Sequence, residues 1–325
     1  MSQRAGQSPL PRFEVRLRPP DIDPWRDGNT GIPGFTTLRS GVPGPHVAVL
    51  AVTHGNEIAG AIVADKLLRA AIRPARGQLT FGFVNIAAFD RFDPQHPTIS
   101  RFVDEDINRL WDIAVLESAQ RSCELDRARQ IRPLIDTVDV LLDLHSTLWP
   151  SDPLILSGPS EKGRRLALGI GIPATVVADA GHANGRRIID YERFVDPATT
   201  ATANLVEAGQ HWEEPAAEMA LASVAGLLRH VGTVQDCPIL PAVPPARPCV
   251  ATVTEVVIAR TGQFAFVQPY RGGEVIAQRD TLIATDGTTE IRTPHDDCML
   301  VMPSLRPSRG HTAVRLARFA NTESG

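Results

Sequence analysis

His54 and Glu57 stand three residues apart where the apolar run Val47-Ala-Val-Leu-Ala-Val breaks into Thr-His-Gly-Asn-Glu. Zinc takes nitrogen, sulfur and carboxylate ligands, and its catalytic sites use three protein ligands and leave a fourth position for water. A histidine and a glutamate at one strand end can both turn toward one point. His145 ends a second apolar run, Val138-Asp-Val-Leu-Leu-Asp-Leu144. In a parallel sheet, strand ends on the same edge converge on a crevice. His54, Glu57 and His145 are therefore expected to hold one zinc ion per chain. An isolated His-x-x-Glu is usually incidental, and the second strand with its own histidine is what turns the reading toward a metal. Asp143 reads either as the carboxylate that orients a ligating histidine or as an ordinary strand-end acid.

Two further groups could complete a reaction. Ser100-Arg101-Phe-Val-Asp-Glu-Asp106-Ile-Asn108-Arg109 carries two guanidinium groups, which bind carboxylates in a bidentate way. Asn108 and Arg109 could hold a substrate carboxylate, and Arg101 could steady an oxyanion. The same loop also reads as a salt-bridged surface turn, with Asp104, Glu105 and Asp106 as partners. Glu207 follows the run Ala203-Asn-Leu-Val206. A carboxylate beside a metal can pass a proton from water to a leaving group; alone, it could be a plain strand-end glutamate.

These residues require elements to position them. Val47–Val52 reads as a buried parallel strand and residues 58–71 as an amphipathic helix. Strands are expected near residues 13–17, 78–86, 138–144, 153–156, 174–178 and 203–206, with helices over 116–138, 161–169 and 215–230. The polar stretch 87–111 reads as a long functional loop. This alternation predicts an α/β fold: a mixed, largely parallel sheet with helices on both faces. Cys237–Pro248 contains five prolines and reads as a linker. Beyond it, short β-like segments at 250–259, 264–267, 274–277, 281–284, 298–302 and 313–317 predict a small all-β C-terminal domain. The expected division is thus 1–236, a catalytic domain with an irregular lead-in over 1–45, and 237–325, a β-rich domain.

Composition removes several function classes. The 325 residues carry a net charge of −4 without a basic block, so nothing calls for nucleic acid or an anionic membrane. No apolar run approaches a membrane span, and the first residues lack a signal-peptide core. The four cysteines are scattered, which fits a reducing cytoplasm and argues against a thiolate zinc site. Pro294-His295-Asp-Asp297-Cys298 resembles a metal cluster, but adjacent residues cannot all face one ion, and it reads as a turn. His182 reads as a solvated loop histidine, while His211 is balanced between substrate contact and packing. Trp111 and Trp149 read as wall packing.

Taken together, His54-Gly-Asn-Glu57, Arg101 followed by Asn108-Arg109, Asp143-Leu-His145-Ser-Thr and Val206-Glu207-Ala-Gly resemble the succinylglutamate desuccinylase/aspartoacylase family, relatives of the zinc carboxypeptidases. The resemblance covers residues 45–215 and, more loosely, the β-rich tail. It implies a zinc-dependent amidohydrolase that removes the acyl group from a small N-acyl amino acid. His54, Glu57 and His145 would ligate zinc, Arg101 would polarise the amide carbonyl, Asn108 and Arg109 would grip the substrate carboxylate, and Glu207 would be general base and acid. Two departures stand out. An additional substrate arginine about ten residues before the catalytic glutamate is replaced here by Pro197, with Arg187 and Arg193 as nearby substitutes. A C-terminal substrate tyrosine has no counterpart. Two other readings compete: a zinc carboxypeptidase acting on peptides, and a metal-stabilised, non-enzymatic metabolite-binding protein. The sequence leaves homo-oligomerisation open.

Overall fold

Apolar strands buried on both faces need cover on both sides, and this chain supplies it. The computed structural model describes residues 11–182, 184–234, 237–243 and 247–320. The expected boundary at residue 236 lies outside the described residues, as do the first ten residues of the lead-in. The first seven strands are β1 (Phe35–Arg39), β2 (His46–Ala51), β3 (Gln78–Phe83), β4 (Val140–Thr147), β5 (Leu154–Leu156), β6 (Thr175–Ala178) and β7 (Thr202–Gln210). The seven that follow are β8 (Cys249–Ile258), β9 (Phe264–Phe266), β10 (Val275–Ile276), β11 (Leu282–Asp286), β12 (Thr289–Arg292), β13 (Cys298–Val301) and β14 (Thr312–Phe319). Eleven of them form one sheet in the order β1-β3-β2-β4-β7-β5-β6-β8-β14-β13-β10. Its centre is parallel (β3, β2, β4 and β7), while β1 and β5 run antiparallel to their neighbours β3 and β7.

Among the described residues, four helices of ten or more residues flank the sheet: α1 (Ile58–Arg69), α2 (Cys123–Ile135), α3 (Glu161–Ile170) and α4 (Glu214–His230). Alternation along β2 explains the layering. Val47, Val49 and Ala51 pack with α1, α3 and α4 on one face. Ala48 and Leu50 pack on the other with Leu125, Ala128 and Ile131 of α2. Local signals start two of the helices: Ser122 accepts from Leu125 N and Ser160 from Gly163 N, side-chain caps for orphan amides. Gly171 closes α3 at φ 73°, the left-handed position that glycine fills without strain.

The structure revises several expectations. Residues 13–17 form no strand; Arg16 and Leu17 donate their amides to Trp212 O, and Phe13 packs edge-on against Trp149 and Trp212. The edge strand is β1 instead. The expected helix over 116–138 is a single turn at Ile113–Leu116 followed by α2, which tolerates Pro133 two residues before its end. In the C-terminal region, β9, β11 and β12 form a separate three-stranded antiparallel sheet. The strands β8, β14, β13 and β10 instead prolong the large sheet, joined through the parallel pairing of β8 with β6.

Candidate active site

The close approach of two backbones creates the site. Gly55 N donates to Arg101 O at 3.1 Å. A Cβ on residue 55 would lie 2.3 Å from Ala88 C and 2.6 Å from Ser100 O, so only glycine lets the loop carrying Arg101 settle against the end of β2. Immediately before this turn, Val52 has φ 48°, a costly conformation for a β-branched residue. Gly55→Ala is accordingly expected to destabilise by at least about 1–3 kcal/mol and to lower activity with it. A denaturant titration alongside a rate measurement checks this; wild-type stability would contradict it.

Glu57 sits at the centre, fully buried. Its Oε1 meets His54 Nδ1 at 2.7 Å, and its Oε2 meets His145 Nδ1 at 2.9 Å and accepts from Ser146 N at 3.1 Å. Each imidazole presents its outer nitrogen to a carboxylate: His54 Nε2 to Asp106 at 2.9 Å, and His145 Nε2 to Asp143 at 2.6 Å. Asp143 in turn accepts from Thr53 Oγ1 at 2.7 Å. Burial works to raise the carboxyl pKa of Glu57, but His54 and His145 outweigh it and hold the pKa well below the usual range. One atom each from His54, Glu57 and His145 lies within 4.8 Å of the others. Two imidazoles and a carboxylate, with each imidazole braced from behind by an acid, fit a zinc ion in donor type, number and support.

The remaining expected residues line the same cleft, of about 720 Å³. Arg101 reaches Glu57 Oε1 at 3.3 Å and Asp106 Oδ2 at 3.1 Å. Asn108 holds Ile188 N through its Oδ1 at 2.8 Å, and its Nδ2 lies 3.4 Å from His145 Nε2. Its amide therefore ties loop 181–190 to the site as well as facing the cleft. Arg109 donates to Asn108 O at 2.6 Å. The loop is fixed from below by Glu124 of α2, whose buried carboxylate accepts from the amides of Val103, Asp104 and Glu105 at 2.6, 3.0 and 3.2 Å.

Both His145 and Glu207 lie inside strands rather than after them, and they are register partners on β4 and β7. Their side chains thus share one face of the sheet. Glu207 is 6% exposed, and its Oε2 is buried without a hydrogen-bond partner. Burial, followed by repulsion from Glu57, pushes its carboxyl up to about 8 against the pull of His145, Arg101 and Arg315. An unpartnered carboxyl in this state is suited to exchanging protons near neutral pH.

Elsewhere the residues sort clearly. His211 bonds Ser146 Oγ at 2.7 Å, and burial lowers its pKa to about 4, so it is a neutral part of the wall. His182 also lines the cleft; burial and then Arg109 and Arg315 lower its pKa to about 3. Trp111 is buried against Tyr191, and Trp149 lines the cleft. His295 lies outside the cleft, bonded to Thr254 and Asp296. The sequence reading missed Arg315 on β14 and the segment Met302–Ser304, both of which line the cleft. A signal for the first existed: Arg315 interrupts the otherwise apolar run Ala313-Val-Arg-Leu-Ala317.

The catalytic-domain model of succinylglutamate desuccinylase/aspartoacylase matches residues 43–226, more than half of the chain. The chain belongs to this family. Similar folds occur in two succinylglutamate desuccinylases. That of Vibrio cholerae has a TM-score of 0.67 and 17% identity, over 90% of this chain and 93% of the other. That of Vibrio parahaemolyticus has a TM-score of 0.66 and 16% identity, over 89% and 87%. A product-bound ectoine utilization protein from Ruegeria pomeroyi has a TM-score of 0.59 and 15% identity, over 87% and 88%. No curated protein matches the sequence. Within the desuccinylase/aspartoacylase family, then, this chain shares the fold and the family's catalytic-domain pattern, while Arg315 lies beyond the matched segment.

Proposed function

We propose that the protein is a zinc-dependent amidohydrolase that deacylates a small N-acyl amino acid. The observation that carries this reading is the unpartnered carboxylate of Glu207 beside His145, in the cleft where His54, Glu57 and His145 converge. His54, Glu57 and His145 are the residues that would hold zinc. When bound there, zinc supplies Lewis acidity, polarising a carbonyl and acidifying water. Glu207 takes the proton from the attacking water and returns it to the leaving amine, so that the C–N bond breaks without releasing an amide anion. Arg101 donates to the oxygen on which negative charge develops. Asp106 and Asp143 keep the two imidazoles in fixed tautomers and orientations. Arg109, on the loop that Glu124 anchors, is placed to meet the substrate carboxylate, and Asn108 holds the cleft wall at Ile188.

Residues 1–236 carry the catalytic groups in this reading, and 237–325 supply the rim. That rim, with Met302–Ser304 among the cleft-lining residues, suits small substrates better than long peptides. No helix among the described residues is long and apolar enough to cross a membrane, and the proposed site of action is the cytoplasm, a reading that the four scattered free cysteines support. The test is a hydrolysis panel of acetyl-, formyl- and succinyl-amino acids against tetrapeptides, using zinc-loaded protein. Faster release from acyl amino acids is the expected result. Faster release from tetrapeptides would move the assignment to a carboxypeptidase, and no hydrolysis of either, with retained binding, would move it to a metabolite-binding protein.

A further inference from the structure

At the carboxyl end of β7 the backbone departs twice from regular strand geometry. Between Glu207 and Gln210, β7 carries one residue more than the stretch of β4 that it pairs with, His145 to Thr147. Gly209, at φ 116°, accommodates this bulge. Trp212 then adopts φ 64°, the left-handed region in which a tryptophan is held only when surrounding contacts over-determine it. Trp212 O accepts from Arg16 N and Leu17 N, both at 3.0 Å, and its ring packs with Phe13, Phe92 and His211.

This turn delivers two neighbouring side chains to the two ends of Glu57. The Trp212 indole donates to Asn56 O at 2.8 Å, the carbonyl of the peptide that joins Asn56 to Glu57. His211 Nδ1 lies 2.7 Å from Ser146 Oγ, and the amide of that serine donates to Glu57 Oε2 at 3.1 Å. One contact therefore holds the backbone of Glu57, and the other braces the group that holds its carboxylate. A third bond, His211 N to Thr147 O at 2.7 Å, ties the same segment to β4. His211 and Trp212 are both buried, and neither is one of the three residues whose donor atoms converge. Core filling explains a buried indole with an acceptor. It does not explain why the acceptor is the peptide joined to Glu57 while the preceding side chain reaches Ser146.

We propose that His211 and Trp212 are positioning residues that together fix Glu57 and thereby set the affinity of the site for zinc. The assignment rests on His54, Glu57 and His145 being the zinc ligands, and on nothing about the substrate. Removing an outer partner of a ligating group weakens metal binding by about 10–100-fold, because the ligand then departs from the geometry that the ion requires.

The test is a competition titration of the full apo chain against a zinc chelator of known affinity, with the melting temperature of the apo protein recorded alongside. Trp212→Phe keeps an aromatic ring and loses the indole donor, and it should weaken zinc binding by about 10-fold. His211→Phe loses the contact with Ser146 and should weaken binding by a similar factor. His211→Asn, whose amide can stand where Nδ1 stands, should recover most of that loss. Trp25→Phe is the matched control: the Trp25 indole donates to Asp65 at 2.8 Å, and neither residue lines the cleft. It should lower the apo melting temperature and leave zinc affinity unchanged, which separates lost stability from lost positioning. If Trp212→Phe does not fold, the two His211 variants carry the test. Wild-type zinc affinity in both phenylalanine variants at the clasp, or an equal loss of affinity in Trp25→Phe, overturns the assignment. A wild-type protein that binds no zinc overturns the ligand reading and this assignment together.

Discussion

Glu207→Gln is expected to leave the protein folded and its metal content at one zinc per chain while lowering kcat by about 10²–10⁴-fold, the usual range for a lost general acid–base group. The reasoning starts from the position of Glu207. It lies beside His145 on the adjacent strand but is not among the three residues whose donor atoms converge, so an amide in its place leaves the ligand set intact. Its Oε2 has no partner to lose, so a neutral isostere should not lower thermal stability. The loss should fall on kcat rather than KM, because the proton transfers occur only along the reaction path. Metal analysis, a melting curve and steady-state kinetics on one preparation suffice. Turnover near the wild-type rate would remove Glu207 from the mechanism, and a drop in zinc content would make it a ligand instead.

Stripping the metal should have the second large effect. Chelation is expected to abolish hydrolysis and to lower the melting temperature, with both restored by zinc. An ion that binds only the folded state stabilises it by about 2.7 kcal/mol at a hundredfold excess over its dissociation constant. His145→Ala should do the same irreversibly, leaving well under one zinc per chain. Replacing the bracing acids is milder: Asp143→Asn should weaken zinc binding by about 10–100-fold without abolishing it. A protein that is fully active after exhaustive chelation, or that binds zinc with wild-type affinity after His145→Ala, would contradict the ligand assignment.

What the sequence made legible follows from how locally each feature is written. His54-Gly-Asn-Glu57 packs an apolar strand, a close-approach glycine and two polar side chains into eleven residues, so both element and chemistry can be read from one window. The helix expected over 161–169 is legible for the same reason and runs from Glu161 to Ile170, whereas the one expected over 116–138 ran past Ser122, the cap at which α2 starts. The extents of β4 and β7 were not: the apolar run stops before His145 and Glu207, while the ladder that carries both is set by pairing between distant segments. The edge strand Phe35–Arg39 was hidden among turn-forming glycines and prolines, and residues 13–17 imitated a strand because Phe13 and Leu17 pack on the core as irregular chain. Arg315 escaped notice because no motif surrounds it. It pairs with Asp179 at 3.9 Å, in a cluster completed by Arg187 and Asp190, a relation that only three-dimensional placement reveals.

The pairing that runs from β6 through β8 to β14, with two register shifts in the β8–β14 ladder, also has a kinetic consequence. A hinged enzyme admits its ligand by opening two bodies, and the opening motion can limit turnover. Here the strand bearing Arg315 pairs with β8 from Thr312 to Phe319, and β8 pairs in parallel with β6 over Thr175–Ala178, so hydrogen bonds tie the C-terminal strands to the sheet that carries the site. The cleft should behave as a mouth of fixed width, filled and emptied by diffusion. Rates should then vary with substrate shape at the rim, and solvent viscosity should affect capture of the substrate rather than a closing motion.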